Sequence, residues 1–172
     1  MGGLEKIVDV LLSCIELFYF LRIVDPWEAG VVIRMGRYHR TVESGWHWLW
    51  PLGFERLITQ DMYLIPTRLG VQNLTTADGV EVGISAVVTW RAQNVRKVLL
   101  ECGGHEEALL DSTSGVLASH VTGSTWADLT SEEFKQTITT DVAAKAKKWG
   151  VKVSEVQLRD VTRCSSLRLF QG

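Results

Sequence analysis

Residues 4–24, LEKIVDVLLSCIELFYFLRIV, form a long apolar run whose polar positions are spaced as on a helix. Glu5, Asp9, Ser13 and Glu16 follow i, i+4, i+8, i+11, which gathers them into one narrow stripe. Leu11, Leu12, Ile15, Leu17, Phe18, Phe20 and Leu21 cover the rest of that helix and are the residues expected to meet lipid. At the helical rise this segment reaches about 31 Å, enough to cross a hydrocarbon core. The two internal acids, Asp9 and Glu16, oppose insertion by about 2.5–3.5 kcal/mol each. Each Leu, Ile, Phe or Val returns about 0.3–0.6 kcal/mol, so the sum is close to balance. The helix therefore either lies in one leaflet with its stripe toward water, or spans with the stripe against a second copy. An amphipathic helix docked on a soluble core is the alternative, and the nearly continuous run over 15–24 argues against it. The weak basic start and missing small-x-small site do not fit a cleavable signal peptide.

After Asp25-Pro26 the period changes from helical to alternating. Strands are expected over 30–34, 38–42 and 46–50, then over 55–66 and 68–74. Asp78-Gly79 marks a hairpin turn leading into a long strand over 80–91. About five strands without an intervening long helix imply an antiparallel, meander-like sheet. Helices are expected over 94–100 and 106–121. A third begins at Thr130-Ser131-Glu132-Glu133, with Phe134, Ile138, Val142, Ala146 and Trp149 on one face. A last strand over 151–158 follows Gly150.

Composition alters this picture in one respect. Apolar residues make up 46% and charged ones 22%, an ordinary globular balance. Lys+Arg number 18 against Asp+Glu 20, so no basic excess supports nucleic-acid binding. Three scattered cysteines, Cys14, Cys102 and Cys164, do not form a disulfide framework and fit a reducing compartment. Tryptophan is the exception. Seven are present, and Trp46, Trp48 and Trp50 recur at period two, so one extended strand would put all three indoles on one face. Indoles suit a membrane–water interface, and three on one strand face exceed what so small a sheet readily encloses. Packing into a core is the competing reading. Arg22, Arg34, Arg37 and Arg40 follow the apolar segment while Lys6 alone precedes it, which places the folded part on the cytoplasmic side.

Several stretches in order resemble the SPFH or band 7 family, which includes stomatin, prohibitin, flotillin and the bacterial HflK and HflC proteins. The carrying residues are VDPWEAGVVIRMGR over 24–37, SGWHWLWP over 44–51, LTTADGV over 74–80 and VTWR over 88–91. KWGVKV over 148–153 and VQLRDV over 156–161 complete the match. The resemblance covers about residues 24–168. Ser44 and Trp46 depart from the family's Pro and Leu, and Cys164-Ser165-Ser166 stands where a proline is common. It implies an α+β fold in which an antiparallel sheet subdomain over 25–92 precedes a helical α/β subdomain over 93–164. A membrane helix over 1–24 would precede both, and residues 165–172 would start a truncated or absent long helix.

The resemblance further implies a membrane-anchored scaffold that self-associates as a ring or cage and organises a membrane patch. Its partners would be the lipid bilayer and further copies of itself, with no cofactor and no catalytic residue. An adaptor regulating a membrane protease or other membrane enzyme is the alternative. From the residues themselves, Cys102-Gly103-Gly104-His105 with Glu106, Glu107 or His120 offers metal-binding types, and a soluble metal-dependent hydrolase is a distant third reading. Only one ligand pair is present rather than two, and there is no His-Glu-x-x-His motif or Gly-x-Ser-x-Gly elbow. Neither a metal site nor an enzyme is therefore expected.

Overall fold

A computed structural model of the chain describes residues 20–50 and 53–164. They divide into two compact units, Met1–Tyr63 and Leu64–Gly172. The first contains β1 (Leu21–Val24), β2 (Glu28–Arg34), β3 (Arg37–Val42), β4 (Gly45–Trp48) and β5 (Glu55–Asp61). The second contains β6 (Ile65–Thr75), β7 (Glu81–Ala92), α1 (His105–Gly123), α2 (Glu132–Ala146) and β8 (Val151–Arg163), with a π-helical turn at Lys97–Glu101. The mixed α+β class and the antiparallel pairing match expectation. The division does not: β6 and β7 belong with the helices, so the boundary falls after Tyr63 rather than after residue 92.

The expected meander is three small antiparallel sheets instead of one, ordered β1-β4, β3-β2-β5 and β6-β7-β8. β1 corrects the first expectation. Leu21–Val24, read as the end of a membrane helix, forms a strand whose partners run from Leu21↔Trp48 to Val24↔Gly45. Four apolar or cationic residues before an Asp-Pro break carry no period of their own, so pairing with β4 decides their conformation. Leu11, Leu12, Ile15, Leu17 and Phe18, and the stripe Glu5, Asp9, Ser13 and Glu16, lie outside the described residues. Among the described residues no helix is long and apolar enough to cross a membrane.

In the first unit, Val24, Val32, Val42 and Leu49 are buried together, with Leu57 packed against them. β1, β2, β3 and β5 supply Val24, Val32, Val42 and Leu57, and Leu49 directly follows β4. The β2–β3 hairpin closes through Met35-Gly36, flanked by the pair Arg34↔Arg37. Met35 has φ 49 and Gly36 φ 78, the paired left-handed geometry of a type I′ turn.

In the second unit β7 is the central strand, and Val82, Ile84, Ala86, Val88, Trp90 and Ala92 are all buried. Helix α1 contributes Leu109, Val116, Leu117 and Val121 to the buried set. Ser131 caps α2 by accepting the Phe134 N–H at 3.2 Å, and Glu132 and Glu133 sit in the positive first turn. Phe134, Ile138, Val142 and Ala146 are buried, as their spacing predicts. Trp149 follows α2 in a 3₁₀ turn and is only half-buried. Gly150 then turns the chain at φ 77, and a Cβ there would stand 2.8 Å from the Asn94 carbonyl oxygen. Only glycine fits.

Candidate functional site

The first unit exposes apolar side chains that its own core has no room to cover. Trp46, Trp48 and Trp50 are 72%, 52% and 62% exposed, so none of them packs in a core. Alternation along β4 puts Trp46 and Trp48 on one face, and antiparallel pairing with β1 sets Ile23 opposite Trp46 and Leu21 opposite Trp48. Ile23 is 62% exposed and extends the same face. Phe20, expected on a lipid-facing helix, instead occupies the turn before β1, with its ring centroid 6.3 Å from that of Trp48. Its carbonyl accepts the Leu49 N–H at 2.8 Å, holding the two chain segments in register. Leu21 is half-buried in β1.

Trp50 lies beyond the end of β4, and a buried carboxylate fixes it. Glu55 Oε2 accepts the Trp50 backbone N–H at 3.0 Å, while Oε1 accepts Arg34 Nε at 2.8 Å. Arg34 Nη2 also lies 2.6 Å from Oε1, and the Glu55 side chain is 1% exposed. Burial pushes the Glu55 carboxyl up. The Trp50 N–H, the Arg34 hydrogen bond and the charges of Arg34 and Arg40 outweigh that and hold it below the ordinary glutamate value. The Arg34 guanidinium stacks 5.6 Å from the Trp50 ring centroid, a cation–π distance. Arg40 donates to the Trp48 carbonyl at 2.9 Å. Met35 N–H donates to the Phe54 carbonyl at 2.9 Å, so the exposed hairpin tip and the exposed Phe54 stand side by side.

The result is an apolar ribbon face of Ile23, Trp46 and Trp48, followed by the exposed Trp50 stacked with Arg34, which is the residue next to the tip made by Met35 and Phe54. The period-two tryptophans reveal its centre in the sequence. Ile23, Met35 and Glu55 carry no local signal, since their roles depend on strands paired across the fold. Trp27, also exposed, stands at the Glu28 end of β2, away from Arg34.

The remaining chemical candidates take structural places. His105 meets the buried Trp90 ring edge-on at 5.4 Å, and Trp90 Nε1 donates to Thr67 Oγ1 at 3.0 Å. His120 Nε2 lies 2.7 Å from Asp141 Oδ2 and joins α1 to α2. Among the described residues, no three His, Cys, Asp or Glu side chains are grouped to hold a metal ion.

The model of the SPFH domain / band 7 family matches residues 22–168. The chain belongs to this family. A stomatin homologue of Pyrococcus horikoshii is 26% identical over 156 residues, covering 90% of this chain and 58% of its own. Stomatin-2 of Caenorhabditis elegans is 23% identical over 164 residues, 92% of this chain and 43% of its own. A protein of Archaeoglobus fulgidus is 26% identical over 170 residues, 98% of this chain and 66% of its own. The chain thus spans about half to two thirds of the length of these relatives.

Proposed function

We propose that this band 7 chain is a self-associating membrane scaffold module whose first unit rests on the bilayer through Trp46, Trp48 and Trp50. The observation that carries the reading is the exposure of Trp46, Trp48 and Ile23 on one ribbon face, with the exposed Trp50 just beyond β4. Contiguous exposed apolar surface marks an interaction site, and tryptophan-rich surface suits headgroup depth. The kinship with stomatin homologues supports the same role.

The excess of Arg22, Arg34, Arg37 and Arg40 after the N-terminal segment, against Lys6 alone before it, supports a cytoplasmic side for the module.

Vesicle flotation combined with mass measurement in mild detergent tests the proposal. The full chain should float with vesicles and run as a multimer. A chain that stays with the soluble fraction and behaves as a monomer would end it.

A further inference from the structure

The tryptophan face is bordered by guanidinium groups, and their arrangement goes beyond simple membrane contact. Arg34, Met35, Arg37, Tyr38 and His39 line an open depression of about 500 Å³ at the β2–β3 hairpin. Arg34 ties this depression to the Trp50 indole, on which it stacks, and Arg40 of the same hairpin donates to the Trp48 backbone carbonyl. Arg56 lies beside Ile33 in the neighbouring strand, at the same end of the sheet. Two acids stand near. Glu55 is buried and saturated by Arg34 and the Trp50 N–H, and Glu43 is exposed at the turn after β3.

Arg37 is exposed, and its side chain has no hydrogen-bond or ion-pair partner among the described residues. Charge along the sheet is segregated. Arg34, Arg37 and Arg56 occupy the end near Trp50, while Asp25, Glu28 and Asp61 occupy the other end of β2 and β5. Seven β residues span about 20 Å, so the two ends are separated by more than a physiological screening length of about 8 Å.

We infer that the hairpin end of the first unit is a binding site for the phosphate of anionic phospholipid headgroups, with Arg37 as its available ligand. Arg34 holds the site against the Trp50 indole. Guanidinium forks match phosphate oxygens bidentately, and the neighbouring Trp50, Met35 and Phe54 supply apolar surface at the same depth. His39, in the wall of the depression, has its Nε2 3.9 Å from Glu55 Oε1. The inference rests on the proposed membrane contact and adds a lipid preference to it.

The test is equilibrium partition of the full chain into vesicles of phosphatidylcholine alone and of phosphatidylcholine mixed with phosphatidylglycerol, at low and high salt. A guanidinium near an anionic surface adds roughly fivefold in affinity. The unaltered chain should prefer the anionic vesicles, and salt should erase the preference. Arg37→Gln should reduce that preference about fivefold while leaving partition into the neutral vesicles unchanged. Arg37→Lys should restore most of it, and Arg91→Gln in the second unit should do nothing. A preference unchanged in Arg37→Gln, or lowered equally by Arg91→Gln, would overturn the site. Failure to bind either vesicle would instead overturn the membrane reading beneath it.

Discussion

Removing one exposed indole separates contact with lipid from packing in a core. Trp46 is 72% exposed, and its neighbour across the ribbon is Ile23. A tryptophan side chain offers up to about 250 Å² of surface, so about 180 Å² of Trp46 meets water. Settling at headgroup depth removes about half of that from water, worth about 2 kcal/mol at roughly 25 cal/mol per Å². Trp46→Ala should therefore weaken partition about 30-fold. The fold should lose only the cross-strand contact with Ile23, at most about 1 kcal/mol. The assay uses a chain lacking residues 1–19, so that the N-terminal segment does not mask the effect, titrated with neutral vesicles and followed in parallel by urea unfolding. The deletion stops before Phe20 because β1 pairs with β4. A loss of several kcal/mol in stability would show that the indole is a packing residue. Unchanged partition with unchanged stability would refute lipid contact at this position.

Three further substitutions probe how the face is built. Glu55 has its carboxyl held below the ordinary value of 4.5, so its stabilising contribution is present above that pH and lost as pH falls through the lowered folded-state value. Urea midpoints should drop on acidification below about pH 4.5, and Glu55→Gln should flatten that drop while costing about 2 kcal/mol at neutral pH. Met35→Gly should stabilise the hairpin by about 1 kcal/mol in thermal unfolding, because Met35 sits at φ 49. It should weaken vesicle binding at the same time, since the side chain is exposed at the tip. Gly150→Ala should destabilise the second unit by at least about 2 kcal/mol in urea unfolding, from its left-handed φ and the 2.8 Å approach to Asn94 O.

Local pattern revealed most of the elements and little of their assembly. Alternation placed β2 to β7 to within a few residues, and the spacing of Phe134, Ile138, Val142 and Ala146 gave the buried face of α2. β1 was not legible, because Leu21-Arg22-Ile23-Val24 continues an apolar run and only its distant partner β4 makes it a strand. The unit boundary was hidden for a similar reason. β7 pairs with β8, whose first residue Val151 stands opposite Ala92 at the end of a long helical detour. The centre of the candidate face was visible in Trp46, Trp48 and Trp50, but its supports were not. A glutamate read alone is a surface residue; Glu55 is buried because Arg34 and the Trp50 N–H converge on it from two other segments.

Depth-dependent fluorescence quenching tests the central claim most directly. The full chain is bound to vesicles whose lipids carry bromine at shallow positions along the acyl chains. Contact of Trp46, Trp48 and Trp50 with the bilayer predicts strong quenching that falls sharply in the triple alanine variant, against the residual signal of Trp27, Trp90, Trp126 and Trp149 that both proteins share. Equal quenching in both proteins, or indoles that remain accessible to aqueous iodide while the chain is bound, would contradict it.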